Sequence, residues 1–454
     1  MSRVFFLFLP LVLLTGSLAQ AQDSEAVNNW PHWRGPLNTG ASPTATPPIT
    51  WSETENVKWK INVPGRGSAT PIVWNDEVFV LTAIPTDRVP DSTEEAAEEA
   101  EQQPERGGGR RGRGGFGQNE SPKNIHEFVV ICYDRETGEE KWRKVANEAV
   151  PHESGHSTNT FASGSPTTDG KHLYASFGSF GVFCYTLDGD LVWKRDLGQM
   201  RTRNGFGEGT SPTLHKDKLI VTWDHEGESS IHVLDAATGE TLWSQERDEP
   251  TTWATPLVVE HDGQTQVITN GTNRVRSYDL ATGNLIWECG GQAANPIPSP
   301  VLLDDLVYVM TGYRGYAVYA IPLSARGDIT GSDTIAWSRT DTGPYVSSPV
   351  LYNGTLYLTK GRDNILYSID ARTGEKKIEQ QRIPGLGTLY ASPVAADGHV
   401  FITDRDGTTV VIEDAPQMEV VSTNKLDEGV DASLVLVDDQ IFIRGSNSLY
   451  CIER

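Results

Sequence analysis

The side chains best suited to binding or reaction fall in a few glycine- and serine-rich stretches. One of them, Pro151–Ser165 (PHESGHSTNTFASGS), contains His152-Glu153-Ser154-Gly155-His156. That is the H-E-x-x-H spacing in which two histidines one helical turn apart hold zinc and the glutamate moves a proton. The context denies it the helix that this chemistry requires. Pro151 precedes the motif, Gly155 lies inside it, and Ser, Thr and Asn follow with no apolar face. A loop is expected, and no metal site is assigned. Gln199–Thr210 adds Arg201 and Arg203, Thr251–Thr255 adds Trp253, Gly343–Ser348 adds Tyr345, and Gly385–Ser392 adds Tyr390. Aromatic rings on short loops supply contact area at little entropic cost, and arginines offer forked donors for anions. His152, His156, Arg201, Arg203, Trp253, Tyr345 and Tyr390 are therefore the candidate ligand or partner residues, and no catalytic set is assigned.

Each of these stretches ends at a Ser-Pro or Thr-Pro mark, and the marks are periodic. They fall at Pro71, Pro166, Pro212, Pro256, Pro300, Pro349 and Pro393, with intervals after Pro166 of 46, 44, 44, 49 and 44 residues. A degenerate last copy starts at Ala432–Ser433–Leu434. Between marks run three or four short β-prone segments, as in Ser211–Trp243. A turn recurs as Thr137–Gly138, Thr238–Gly239, Thr282–Gly283 and Thr373–Gly374, with Leu187–Asp190 in the second copy. Tryptophan follows at Trp142, Trp193, Trp243, Trp287 and Trp337, and Ile378 takes that place in the sixth copy. A period of roughly 40–50 residues with about four strands per unit is that of a β-propeller blade, which must stack in a ring to bury its faces.

The ends of the chain set the blade count. Ser433–Arg454 has room for three strands, and the alternating run Val57–Val63 carries a tryptophan, Trp59, on its apolar side. Pairing of the two completes an eighth blade. The expectation is all-β: an eight-bladed propeller of four-stranded blades over 56–454, its last blade closed by the early strand. Within a blade the strands alternate, so the loops before each Ser-Pro and the loops between second and third strands emerge on one face, at the mouth of the central channel.

The Ser-Pro opening, the Asp-x-x-Thr-Gly-Glu turn and the following Trp resemble the pyrroloquinoline-quinone (PQQ) type propeller repeat over Val57–Arg454. The wording of Trp30–Pro36 and of Gly407–Pro416 resembles the exported PQQ-like propellers of planctomycetes. That family includes quinoprotein alcohol dehydrogenases and the outer-membrane assembly factor BamB. The resemblance implies that Trp59, Trp142, Trp193, Trp243, Trp287 and Trp337 dock structurally between blades. It also implies two functions. The dehydrogenases pair adjacent cysteines with a quinone, a carboxylate-rich calcium site and a catalytic Asp. Here the cysteines, 132, 184, 289 and 451, are scattered, and no C-x-x-C-H haem site occurs. No cofactor is assigned. The expected function is a non-catalytic, BamB-like interaction scaffold of the cell envelope with a protein or glycan partner. A PQQ- and Ca²⁺-dependent dehydrogenase oxidising alcohols or sugars is the alternative.

The remaining features bound the setting. Arg3, the apolar run Val4–Leu14 and Ala19–Gln20–Ala21 read as a signal peptide over 1–21, placing the protein in the periplasm or outside the cell. Residues 22–55 read as an extended lead-in packed on the outside of the ring. Within 85–125, seven carboxylates between Asp91 and Glu105 are followed by four arginines in a glycine-rich run, which reads as a disordered insertion in blade 1. A net charge of −23 argues against nucleic acid. No transmembrane segment is expected, and the chain is expected to be monomeric. Cys132, Cys184 and Cys451 share one position, filled elsewhere by Val233, Ser277, Ala320 and Ser368, so all four cysteines are expected to be free, buried and small-residue substitutes.

Overall fold

A computed structural model of the chain describes residues 25–90 and 121–454. Eight antiparallel units of four strands follow one another around a ring. Blade 1 comprises Ile72–Trp74, Glu77–Pro85, His126–Asp134 and Glu140–Ala149. Each later mark begins another blade, and strands run from the innermost at the channel to the outermost at the rim. Blade 8 takes Val435–Val437, Gln440–Arg444 and Ser448–Ile452 from the C-terminus, and Val57–Asn62 as its outer strand. Trp59 lies opposite Cys451, and Ile61 opposite Leu449. The ring closes as the alternation of Val57–Val63 requires. Among the described residues, no helix is long and apolar enough to cross a membrane. The signal-peptide reading, 1–21, lies outside the described residues, as does 91–120 of the insertion expected to be disordered over 85–125. The flanks 85–90 and 121–125 are ordered instead, because Pro85 ends the second strand of blade 1 and the residues after it pair with those before the third. At its foot Thr86 N–H donates to the Ile125 carbonyl (2.9 Å) and Ile125 N–H to that of Arg88 (2.9 Å).

The recurring turn has a specific chemistry. The Asp235 carboxylate accepts from the Thr238 N–H (2.9 Å) and hydroxyl (3.0 Å), and Asp134, Asp279 and Asp370 hold their threonines likewise. The glycine after the threonine takes φ of +72° to +75° in all four turns, which suits glycine alone. It lies flat on the tryptophan of the preceding blade: a Cβ on Gly239 would stand 2.7 Å from the Trp193 ring. The indole then donates to the turn backbone, Trp193 to Ala236 O at 2.9 Å. Trp59, Trp142, Trp243 and Trp337 do the same to Arg135, Leu187, Leu280 and Ala371. Five of the eight blades are thereby fastened to the next.

Trp287 departs from this arrangement. Blade 5 replaces the turn with a longer excursion whose Gly327–Asp328 adds a fifth, parallel strand beside Trp287 and Glu288. Trp287 is fully buried beneath it, and its indole donates inward to Gln266 Oε1 at 3.2 Å. The cysteines are free and buried. Cys132, Cys184 and Cys451 sit directly across the strand pair from Trp142, Trp193 and Trp59, as Val233, Ser277 and Ala320 sit across from Trp243, Trp287 and Trp337. A small residue leaves room for the indole.

The lead-in corrects the expectation. Instead of lying outside the ring, it crosses the central channel. Trp30 bridges Val73 of blade 1, His32 bridges Thr167 of blade 2, Thr39 accepts from Leu351 N–H of blade 6 at 3.0 Å, and Ala41 bridges Ala395 of blade 7. These partners lie on innermost strands, whose inner edges would otherwise carry unpaired backbone groups. Arg34 is buried at the centre, its guanidinium donating to the carbonyls of Pro349 (2.5 Å), Pro393 (3.3 Å) and Thr39 (3.1 Å). With no carboxylate beside it, burial lowers the Arg34 pKa to about 9. His32 is held at about 3 by burial and then by the Arg34 charge, so it stays neutral.

Candidate functional site: a cup on the channel axis

The residue before a proline is confined to extended conformations. In this ring the N–H of each such residue, and of Ser433 before Leu434 in the degenerate last copy, points sideways at the next blade. Thr70 donates to the Ser165 hydroxyl, Ser165 to Ser211, Ser211 to Thr255, Thr255 to Ser299, Ser299 to Ser348, Ser348 to Ser392, Ser392 to Ser433, and Ser433 back to Thr70, at 2.9 to 3.3 Å. The girdle is closed. Each hydroxyl accepts one N–H, and none donates to a protein acceptor among the described residues.

Above this girdle the channel opens into a cavity of about 250 Å³. Thr70, Ser165, Ser211, Thr255, Ser392 and Ser433 line it low down, and Trp33 of the crossing segment lines it too. Trp33 also lines the smaller space beneath, with His32 and Arg34, so the indole separates the two and floors the upper one. The walls carry His156, Asn159, Phe206, Trp253, Tyr345, Arg362, Tyr390 and Asp431.

The wall is fixed by its own contacts. The Trp253 indole donates to Gly207 O at 2.8 Å. Tyr345 stacks on Tyr313 with centroids 4.9 Å apart, and the Arg405 guanidinium lies 4.4 Å above the Tyr390 ring. Arg405 is forked onto Asp431 at 2.6 and 3.0 Å. His156 Nδ1 meets the Thr158 hydroxyl at 2.8 Å, and its ring meets the edge of Phe206. Burial, then the charges of Arg362 and Arg405, push its pKa below the ordinary histidine value, so it is neutral near pH 7. Arg362 is exposed, approaches the Tyr390 hydroxyl at 3.4 Å, and has no ion-pair partner among the described residues.

Of the seven residues singled out in the sequence, His156, Trp253, Tyr345 and Tyr390 meet in this cup. The other three do not. His152 donates from Nε2 to Met200 O at 2.7 Å and lines a separate cavity of about 40 Å³ with Glu153 and Glu208. Arg201 lies exposed at a long contact of 3.5 Å to Glu226 O, and Arg203 is turned to Asn295 Oδ1 at 2.9 Å. The stretch from His152 to His156 is irregular, and its imidazoles face different cavities. Beside His152, burial raises the Glu208 carboxyl to about 7, although the Ser179 N–H (2.8 Å) and hydroxyl (2.5 Å) both donate to it.

Sequence reasoning missed Trp33, Arg362, Arg405 and Asp431. Arg362 and Arg405 lie between second and third strands of blades 6 and 7, on the face already deduced for such loops, so that rule could have found them. Trp33 gave no signal, because nothing local says that its segment enters the channel.

Three comparisons bear on this architecture. The sequence model of the family described as outer membrane protein assembly factor BamB matches residues 126–380. Among curated proteins, the tetrathionate hydrolase of Acidithiobacillus ferrooxidans is 24% identical over 263 residues, covering 53% of this chain and 48% of its own length. BamB of Escherichia coli strain K12 is 26% identical over 212 residues, 45% of this chain and 49% of that protein. The chain thus spans about half the length of these relatives. Among solved structures, the quinohemoprotein alcohol dehydrogenase of Comamonas testosteroni superposes with a TM-score of 0.62 at 12% identity, covering 96% of this chain and 82% of that one. BamB of Moraxella catarrhalis superposes at 0.50 with 16% identity, covering 83% and 100%. At such identities the structural likeness speaks for the fold alone.

Proposed function

Since the chain belongs to the PQQ-like repeat family described as outer membrane protein assembly factor BamB, we propose that it is an exported, non-catalytic propeller that holds a partner of the cell envelope through the cup on its channel axis. The observation carrying this reading is that the cup is preformed and its reactive groups are already committed. Asp431 is forked to Arg405, His156 is neutral and bonded to Thr158, and the aromatic walls are pinned by stacking or hydrogen bonds. Rigid walls avoid the ordering cost that weakens flexible binders. Export rests on residues 1–21 as read in the sequence.

The donor set supports binding over quinone chemistry. A calcium ion takes six to eight oxygen ligands, carboxylates prominent among them. The cup offers one carboxylate, Asp431, and its oxygens are occupied by Arg405. The cysteines stand on separate blades, each against its own indole or strand neighbour.

The test is retention of partners from an envelope extract on immobilised protein. Wild type and Arg203→Gln, whose side chain lies outside the cup, are expected to retain the same partner. Tyr390→Ala should lose it while keeping the folded spectrum of wild type. If Tyr390→Ala retains the partner as fully as wild type, the cup is not the binding surface.

A further inference from the structure

The cup is a pocket with one closed end. Trp33 floors it, so whatever enters from the mouth must stop there, and a chain cannot run through. At about 250 Å³ it lies just below the usual range for ligand pockets and has room for one terminal unit. Just above the floor, hydroxyls from several blades face one axis, each able to donate. Higher up stand the fixed faces of Trp253, Tyr345 and Tyr390.

A peptide offers its hydrogen-bonding groups in a line along a strand and is met best by a free strand edge. On the far side of the floor the inner edges of blades 1, 2, 6 and 7 are already paired to the crossing segment. A sugar ring instead presents hydroxyls around its circumference and apolar C–H faces above and below. Rings of hydroxyls and flat aromatic walls complement that shape. The wall also carries one guanidinium, Arg362, with no carboxylate partner among the described residues, in a chain whose net charge is −23. A cation left unpaired at a pocket mouth is positioned for an anionic group on the ligand.

We propose that the cup binds the terminal unit of an acidic saccharide, its ring against the aromatic walls, its hydroxyls on the serine and threonine girdle and its anionic group on Arg362. This deepens the binding reading given above and rests on it. The shared chemistry is a sugar-borne anion, either carboxylate or sulfate.

The experiment titrates the whole protein with a galacturonate disaccharide, its methyl ester and a sulfated disaccharide, following tryptophan fluorescence and calorimetric heat. Two of the chain's 12 tryptophans, Trp33 and Trp253, line the cup, so the fluorescence change is read together with the calorimetric heat. The acid should saturate one site and bind at least tenfold more tightly than its ester. Arg362→Gln should abolish that difference while leaving the weak ester binding as it is, and Arg203→Gln should change neither. Saturable binding of the sulfated sugar, lost equally in Arg362→Gln, assigns the anion to sulfate and supports the same class. Ester and acid binding equally would overturn the proposal. So would failure of every sugar to bind, or binding of PQQ in the cup to the exclusion of the sugars. Should the envelope partner still be retained in a Tyr390-dependent way while no sugar binds, only the saccharide proposal falls.

Discussion

Between blades 3 and 4 a fully buried ion pair offers a quantitative test of how the ring is held together. Arg247 forks onto Asp224, Nε to Oδ1 at 2.7 Å and Nη2 to Oδ2 at 3.0 Å, with both side chains 0% exposed. Its Nη1 reaches the Thr269 hydroxyl (2.8 Å) and the Tyr278 hydroxyl (2.9 Å), and Thr252 donates to Asp224 at 2.6 Å. Removing one member leaves the other charged, dry and unpaired, which costs about 3–5 kcal/mol. Asp224→Leu and Arg247→Met should each show a loss of that size. The double variant strands only the hydroxyls of Thr252, Thr269 and Tyr278, so it should cost about as much as one single change. The coupling energy from the cycle is then about 3–5 kcal/mol. Urea unfolding at pH 7, followed by tryptophan fluorescence, measures all four proteins. Singles costing under about 1 kcal/mol, or a double equal to the sum of the singles, would refute the reasoning from buried charge.

Glu208 sets a pH dependence. Its folded pKa is raised to about 7 from the 4.5 of a free glutamate, so between these values the unfolded chain has released a proton that the folded chain keeps. Each pH unit in that window costs the fold up to about 1.4 kcal/mol. Stability should therefore fall as pH rises from 4.5 to 7, and Glu208→Gln should flatten the profile, as read from denaturation midpoints across that range. In the girdle, Ser211→Ala strands the buried Ser165 N–H, and a loss of about 1–3 kcal/mol is expected in urea unfolding; a loss below a few tenths would mean that the link is not energetic. Gly239→Ala must place a Cβ at φ +72° and 2.7 Å from the Trp193 ring. It should destabilise by about 1–3 kcal/mol, while Gly263→Ala, with open space around it, pays for its backbone strain alone. Equal losses at the two glycines would show that the indole contact carries no energy.

The blade count was legible because each blade repeats a local grammar. Asp, Thr and Gly at fixed offsets make a turn that can be named without a partner, and the alternation of Val57–Val63 shows a strand that lacks neighbours in sequence. The site was legible only where residues sat in loops of known face. Trp253, Tyr345 and Tyr390 precede Ser-Pro marks and so could be brought to the mouth. Arg201 and Arg203 share such a loop, yet hydrogen bonds to Glu226 and Asn295, distant in sequence, turn them away, a choice that spacing does not encode. The serines and threonines before proline looked like turn punctuation, because each one's partner lies more than forty residues away in the next copy. Trp30–Pro36 has no period at all. Its place in the channel comes from shape and from backbone groups on four blades, information distributed over the whole ring. Trp287 kept its position in the repeat, but the excursion in blade 5 changed what it touches.

Closure by Val57–Asn62 also orders events in time. The strand that completes blade 8 is synthesised well before its partner Ser448–Ile452, which follows it by nearly four hundred residues. The same holds for Arg34, whose carbonyl acceptors at Pro349 and Pro393 are made some three hundred residues later. A chain cut short anywhere before blade 8 therefore keeps an unmatched edge at each end and a core open to water. Synthesis of blade 8 acts as a proofreading step: only a polypeptide that carries both closing strands can join them and become a ring.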